Sequence, residues 1–200
     1  MSKVKICGLS RPADIDAVNR AQPDYIGFVF APSRRRVSIE TAAALKERLD
    51  PRIKAVGVFV NEEVRVLSNI VEKGIVDLLQ LHGEEDALYI DRLKAVCGCG
   101  VIKALGVGDT LPHLPDNADY VLFDTLSSQR GGVGQAFNWQ VLRDVPDVPY
   151  FLAGGLSPDN VADAIQLLAP YCVDVSSGVE TDGCKDFEKI NKFIQTARRI

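Results

Sequence analysis

Residues 54–81 read KAVGVFVNEEVRVLSNIVEKGIVDLLQL, and this stretch contains the pattern that decides the fold. Residues 57–60, GVFV, form an apolar run without polar alternation, which is typical of a parallel strand covered on both faces. A helical segment follows, with Asn61 as a candidate N-cap before two glutamates and Gly74 just after its last turn. The apolar run 78–81 completes a strand–helix–strand unit.

The same unit repeats along the chain about every 20–25 residues. Helix signals separate the apolar runs: Ser38 with Thr41 opens 40–49, Ser157-Pro158 precedes 159–168, and a last helix runs from Asp186 towards Ala197. Eight strands are predicted, at 4–7, 25–30, 54–60, 78–81, 101–105, 120–124, 150–153 and 172–175.

Eight strand–helix units in 200 residues predict an α/β fold, a single (β/α)8 TIM barrel that forms one domain over residues 1–200. A doubly wound open sheet is the structural alternative. The barrel is favoured by the strand count and because the unusual residues fall at the C-terminal ends of the strands, where barrel active sites lie.

Composition excludes several classes of protein. Apolar residues make up 46% and charged residues 25% of the chain, as in ordinary globular proteins. A net charge of −4 argues against a nucleic-acid or anionic-membrane partner. The N-terminus lacks a signal-peptide pattern and no apolar run is long enough to span a membrane, so a cytoplasmic location is expected. Five cysteines argue against a disulfide framework, and Cys97-Gly98-Cys99 lacks a second ligand pair at zinc spacing.

The end of the first strand contains a candidate nucleophile or base, Cys7. Alternation along a strand places Lys5 and Cys7 on one face, with Val4 and Ile6 on the other, apolar face. The apolar face suits the helices, so Cys7 is expected inside the barrel mouth with Lys5 one layer below. A nearby ammonium is expected to lower the thiol pKa. A lone cysteine is also commonly just a small buried side chain.

Asp124 ends the apolar sixth strand in VLFDT. Such an acid is either a cap of the following segment or a catalytic group at the mouth, and the strand end alone leaves both readings open. Burial among apolar neighbours would raise its pKa and keep it protonated, as a general acid requires.

The loops after strands seven and eight are rich in glycine. They read AGGLSP at 153–158 and DVSSGVE at 174–180, with Gly154, Gly155, Ser177 and Gly178 as candidate phosphate ligands. Glycine lets backbone N–H groups approach a phosphate, and these are the loops at which barrels commonly bind one. A phosphorylated small-molecule substrate is therefore predicted.

Two further segments carry polar groups to the same rim. The loop 32–38, PSRRRVS, offers three arginines, of which at least one is expected to meet an anionic group. Gln80 and His82 share a face at the end of the fourth strand. They are interpreted as polar lining or orienting groups and not as metal ligands, because the only other histidine is His113.

These segments together resemble the phosphoribosylanthranilate isomerase family of tryptophan biosynthesis over essentially the whole chain. No single motif is specific, but their joint order and spacing are. The matching segments are 5–9, 26–30, 56–61, 79–85, 122–125, 131–134, 137–139, 153–158 and 174–180.

The resemblance implies an Amadori rearrangement of N-(5-phosphoribosyl)anthranilate to 1-(2-carboxyphenylamino)-1-deoxyribulose 5-phosphate. It implies Asp124 as the general acid that opens the ribose ring and Cys7 as the general base that removes the C2′ proton. Such proton transfers need neither a metal nor an organic cofactor.

The resemblance also implies binding residues. The carboxylate-binding arginine maps onto Arg35, although a loop one residue shorter than the common form leaves Arg34 and Arg36 as alternatives. Val133 stands where the family often has Ser or Thr, which removes one hydrogen bond from that loop. Asp174 is expected either to contact a ribose hydroxyl or to brace the loop after strand eight.

Other functions remain open at this stage. A Schiff-base aldolase would use Lys103 or Lys5 as its nucleophile, a metal-dependent epimerase is less favoured because histidines are scarce, and a non-catalytic barrel could bind a phosphosugar. A monomer is expected, with a homodimer as the alternative.

Overall fold

The structure is a computed structural model that describes residues 1–125, 138–146 and 148–200. Eight parallel strands pair in chain order, and the eighth pairs with the first to close a barrel. This confirms the predicted (β/α)8 barrel over the open sheet. The barrel strands are β1 Lys3–Cys7, β2 Tyr25–Val29, β3 Lys54–Phe59, β4 Leu78–Leu81, β5 Gly100–Val107, β6 Tyr120–Thr125, β7 Tyr150–Leu152 and β8 Cys172–Val175.

Helices pack around this barrel, and a small hairpin follows β8. The α-helices are α1 Pro12–Ala21, α2 Ile39–Glu47, α3 Val64–Glu72, α4 Ala87–Val96, α5 Val161–Leu168 and α6 Phe187–Arg198. The hairpin consists of β9 Glu180–Thr181 and β10 Cys184–Lys185, which pair antiparallel. No helix in the described part of the chain is long and apolar enough to cross a membrane.

The expectation of a helix after every strand is wrong for the fifth unit. Residues 108–119 between β5 and β6 form no helix, because Pro112 and Pro115 interrupt the segment. Leu111 and Leu114 instead pack against the core from an irregular connection. After β6, residues 126–137 lie outside the described residues, and a 3₁₀ turn, Trp139–Leu142, precedes β7.

Two predicted helix starts are confirmed. The Ser38 hydroxyl accepts a hydrogen bond from the Thr41 N–H at 3.1 Å at the start of α2. Asp186 accepts from two backbone N–H groups at the start of α6. Both side chains satisfy donors that a helix leaves free in its first turn.

Two predicted helix starts are wrong. Asn61 does not cap α3; its φ is +49° and its Oδ1 accepts from the Glu84 N–H, so it ties the loop after β3 to the loop after β4. The helix predicted from residue 159 begins at Val161, because the loop first turns through a hydrogen bond from the Ser157 N–H to Asn160 Oδ1 at 2.8 Å. In both cases the polar side chain serves the loop and not the helix.

The core has two parts, separated by the barrel wall. Val4 and Ile6 belong to the large layer between strands and helices, which confirms that the other face of β1 points inwards. An apolar cluster fills the barrel interior: Tyr25, Val56, Ile102, Ala104, Leu122, Phe151, Ala153 and Cys172. On β6 and β8 the polar inward-facing side chains lie beyond it towards the C-terminal mouth, since Asp124 and Asp174 come two residues after Leu122 and Cys172.

Candidate active site

The inward-facing positions nearest the C-terminal mouth carry ionisable or polar side chains from four strands. On β4, β6 and β8 they continue the inward alternation of Leu78, Leu122 and Cys172, which belong to or pack against the apolar interior cluster. On β1 they alternate with Val4 and Ile6, which face the helices. These residues are Lys5, Cys7, Gln80, His82, Asp124 and Asp174. The barrel geometry brings these six side chains to one end of the barrel.

Lys5 and Asp174 form a buried ion pair in the floor of this site. Their strands pair so that the two residues are direct neighbours, and Lys5 Nζ lies 2.8 Å from Asp174 Oδ2. Burial alone lowers the pKa of Lys5, but the Asp174 carboxylate outweighs it and raises the pKa above its usual value. Lys5 is therefore a fixed positive charge beneath Cys7.

The Cys7 thiol lies where β2 has no side chain to obstruct it. A Cβ atom on Gly27 would lie 2.6 Å from Cys7 Sγ, so glycine at this position makes room for the sulfur. Burial raises the pKa of Cys7 although Lys5 lowers it in part, and Asp174 adds to the rise. The expected net lowering of the thiol pKa is thus wrong, because desolvation exceeds the attraction of the ammonium.

Asp124 is held at the end of β6 by its own strand and by the loop after β7. Its Oδ1 accepts from the Thr125 N–H at 2.8 Å. Gly154 has a φ of +82°, and a Cβ there would lie 2.5 Å from Thr125 Oγ1 and 3.0 Å from Asp124 Oδ1. Burial raises the pKa of the Asp124 carboxyl, as predicted from its apolar strand.

His82 and Gln80 line the site beside Asp124. His82 Nε2 lies 3.6 Å from Asp124 Oδ2, and Gln80 Nε2 lies 3.0 Å from His82 Nδ1. Burial lowers the pKa of His82, and the Lys5 charge lowers it further, so the ring is neutral. A Gln80 amide that donates to Nδ1 leaves the imidazole proton on Nε2, the nitrogen that faces Asp124.

Among the residues that the structure describes, two acceptors in this site are buried without a hydrogen-bond partner: Gln80 Oε1 and Asp174 Oδ1. Gln80 is 3% and Asp174 7% exposed, so both oxygens are withdrawn from solvent. A buried acceptor without a partner costs about 1–3 kcal/mol, so these two oxygens lower the stability of the fold at the site.

The glycine loops after β7 and β8 lie against each other. Gly154 and Gly155 both have positive φ, at +82° and +66°. A Cβ on Gly178 would lie 2.0 Å from the Leu156 carbonyl oxygen, so only glycine permits this approach. Ser177 and Gly178 lie in a 3₁₀ turn directly after β8. The predicted phosphate-binding residues are thus brought to one edge of the mouth, where backbone groups approach a ligand without obstruction.

Arg35 extends across the mouth from the loop after β2, and its side chain packs against Gly8. A Cβ atom on Gly8 would lie 2.4 Å from Arg35 Cδ, so glycine leaves room for the arginine. Its guanidinium forms two hydrogen bonds with Glu180, at 2.6 and 2.9 Å. Arg34 also pairs with Glu180, whereas Arg36 is exposed. Among the three arginines, Arg35 is therefore the one that the fold orders over the end of β1.

The Schiff-base alternative is not supported by the positions of the two lysines. Lys103 points to the helix side of β5, because its neighbours Ile102 and Ala104 fill the barrel interior. Its ammonium lies 2.7 Å from Glu85 Oε2 and 2.8 Å from the Gly83 carbonyl oxygen. A Schiff-base lysine needs a depressed pKa, and the pKa of Lys5 is raised by Asp174.

Comparison with known proteins points to one family. The family model for N-(5′-phosphoribosyl)anthranilate (PRA) isomerase matches residues 4–196. The chain is 47% identical over 201 residues to the N-(5′-phosphoribosyl)anthranilate isomerase of Endomicrobium trichonymphae, with all of both chains covered.

Solved structures give the same result. The phosphoribosyl anthranilate isomerase of Thermus thermophilus superposes with a TM-score of 0.88 at 32% identity, over 98% of each chain. A phosphoribosyl anthranilate isomerase in complex with reduced 1-(o-carboxyphenylamino)-1-deoxyribulose 5-phosphate superposes with a TM-score of 0.84 at 33% identity, over 100% of each chain. The chain therefore belongs to the N-(5′-phosphoribosyl)anthranilate isomerase family, the isomerases of tryptophan biosynthesis.

Proposed function

We propose that this enzyme converts N-(5-phosphoribosyl)anthranilate to 1-(2-carboxyphenylamino)-1-deoxyribulose 5-phosphate, with Asp124 as general acid and Cys7 as general base. The observation that carries the proposal is the placement of a partly buried carboxyl with a raised pKa and a partly buried thiol on inward faces of one barrel mouth. A carboxyl of this kind donates a proton, and a thiolate held above a fixed ammonium accepts one.

The reaction needs two proton transfers. Asp124 donates its proton to the ribose ring oxygen as the bond from that oxygen to C1′ breaks, and the nitrogen lone pair forms the C=N bond of a protonated Schiff base. The Cys7 thiolate then removes the C2′ proton, and the electron pair of that C–H bond moves to form an enolamine. Tautomerisation of the enolamine yields the ketone. Neutral His82, with its Nε2 proton towards Asp124, stabilises the carboxylate left after the first step.

The rest of the site fits the remaining parts of this substrate. The loops after β7 and β8 bind the phosphate by donating hydrogen bonds from backbone N–H groups of Gly154, Gly155, Ser177 and Gly178. The ribose hydroxyls face Gln80 and Asp174, the polar side chains that line the mouth beside His82 and Lys5. The anthranilate carboxylate binds the guanidinium of Arg35.

The test of this function follows anthranilate-type fluorescence when purified protein meets freshly generated N-(5-phosphoribosyl)anthranilate. We expect rapid, enzyme-dependent loss of the signal and formation of the carboxyphenylamino ketose. Saturable binding of the reduced product analogue without any turnover would instead support a phosphosugar-binding barrel.

Arg35→Ala is expected to raise KM by about 10-fold or more with a smaller change in kcat, because it removes a charge-assisted contact made in both ground and transition states. Steady-state kinetics on the same substrate measures the two parameters separately. Arg34→Ala and Arg36→Ala are the matched controls, since both side chains are more exposed. If either control raises KM more than Arg35→Ala, the wrong arginine has been placed at the carboxylate.

We also propose that residues 1–200 act as one catalytic domain, as a monomer in the cytoplasm, without a metal or organic cofactor. The chemistry above uses only side chains of one barrel mouth, which supports a self-sufficient monomer. Light scattering on purified protein distinguishes this from a homodimer.

A further inference from the structure

Glu180 is a nearly buried carboxylate at the rim of the barrel that the proposed mechanism does not use. It is the first residue of β9, and its side chain is only 5% exposed. Three cations surround it: Arg34 Nη2 at 2.7 Å, Arg35 Nε at 2.6 Å and Lys185 Nζ at 2.7 Å. One negative charge is therefore shared by three positive ones, and the cluster retains a surplus of positive charge.

Among the described residues, the contact of Arg35 with Glu180 leaves part of the guanidinium without a hydrogen-bond acceptor. Glu180 accepts from Nε and Nη2, which together form one edge of the planar group. A guanidinium has five N–H donors, so the Nη1 group and the second proton of Nη2 remain on the adjacent edge. That edge has the spacing to bind a second carboxylate with two parallel hydrogen bonds.

The same carboxylate connects this arginine to the loop after β8. Lys185, whose side chain is 1% exposed, bonds Glu180 and also donates to the Ser176 carbonyl oxygen at 2.9 Å. The Ser176 hydroxyl donates to the Cys7 carbonyl oxygen at 3.0 Å. An unbroken series of hydrogen bonds thus runs from Arg35 through Glu180 and Lys185 to the end of β1.

We propose that Glu180 is a positioning residue: it holds one edge of Arg35 so that the other edge binds the carboxylate of the aromatic acid in the substrate. This inference rests on the proposed function, because it takes Arg35 as the carboxylate ligand. Without Glu180 the long arginine side chain must be immobilised when substrate binds, and that ordering weakens binding.

An effect of charge alone predicts a change in ligand affinity of the opposite sign, so a binding measurement distinguishes it from an effect of positioning. Glu180→Gln removes a negative charge from the rim, so an effect of charge alone would strengthen the binding of an anionic ligand. Loss of positioning would weaken it. The sign of the change therefore separates the two effects.

The experiment compares two ligands on wild type and Glu180→Gln: reduced 1-(o-carboxyphenylamino)-1-deoxyribulose 5-phosphate and the matching phenylamino compound without the carboxylate. We expect Glu180→Gln to raise the dissociation constant of the carboxylated ligand by about 10-fold. The dissociation constant of the other ligand should change by less than about 2-fold. In an Arg35→Ala background, Glu180→Gln should produce no further loss. Asp182→Asn, at the exposed tip of the same hairpin, is the matched control and should leave both ligands unchanged.

Three results would overturn the inference. If Glu180→Gln weakens the binding of both ligands equally, Glu180 supports the loop as a whole. If Glu180→Gln binds the carboxylated ligand more tightly, the negative charge of Glu180 opposes substrate binding. Equal binding of both ligands to wild type would instead refute the carboxylate role of Arg35, and with it the proposed function of that residue. Should Glu180→Gln prove unfolded by circular dichroism, Glu180→Asp keeps the charge, shortens the reach to Arg35 and is expected to show the same ligand-selective loss.

Discussion

Cys7→Ser is expected to lower kcat by at least ~10²-fold while the barrel stays folded, as the loss of a positioned general base does. The serine hydroxyl is smaller than the thiol and fits the space that Gly27 leaves. Its pKa is far above that of a thiol, so even the fixed charge of Lys5 does not produce a useful fraction of alkoxide. Initial rates from the fluorescence assay at saturating substrate measure the loss.

The matched control is Cys184→Ser, because Cys184 is an exposed free cysteine on β10 outside the barrel mouth. It should retain wild-type kcat. Binding of the reduced product analogue should also survive in Cys7→Ser, which separates loss of chemistry from loss of the site. Turnover by Cys7→Ser at a near-normal rate would rule out the thiol as the base.

Asp124→Asn is expected to lower kcat by about 10²- to 10⁴-fold, because an amide of nearly the same shape has no proton to donate to the ring oxygen. Its Oδ1 can still accept from the Thr125 N–H, so the strand end should keep its geometry. Asp159→Asn is the matched control: this exposed carboxylate pairs with Lys192 outside the mouth and should retain full activity.

The pH dependence of the residual rate gives a second check on Asp124. The proposed mechanism requires Asp124 to be protonated and Cys7 to be ionised. Between the two pKa values, rising pH increases the thiolate fraction but depletes the protonated carboxyl, so the wild-type rate is nearly flat there. In Asp124→Asn only the thiolate fraction changes, and the residual rate should rise with pH up to the raised pKa of Cys7. A residual rate as flat as that of wild type would contradict the assignment of Asp124 as the acid.

The strands were predictable because a parallel strand covered on both faces needs an uninterrupted apolar run, and each such run stands out between polar helices. Residues 78–81 and 172–175 match β4 and β8 residue for residue, and the other six strands differ by one or two residues at their ends. The inward face of β1 followed from alternation alone. Cys7 and Asp124 were therefore placed at the mouth by local pattern and strand order.

Helix starts were harder to predict than strands, because the side chains that cap helices also form hydrogen bonds within loops. Asn61 and Ser157 are residue types that cap helices. Asn61 Oδ1 instead accepts from the Glu84 N–H in another loop, and Ser157 Oγ accepts from the Asp159 N–H within the loop before α5. The missing helix after β5 had a visible signal, since Pro112 and Pro115 fall inside the segment where it was expected.

The sequence by itself determined the barrel, the strand ends that carry Cys7 and Asp124, and the glycine loops, because each depends on periodicity or on residues adjacent in the chain. Only the tertiary structure decided the sign of the Cys7 pKa shift, because desolvation depends on everything packed around the thiol. It also decided the partner of Arg35. Glu180 lies far from Arg35 along the chain, and only closure of the barrel between β8 and β1 brings the two side chains together.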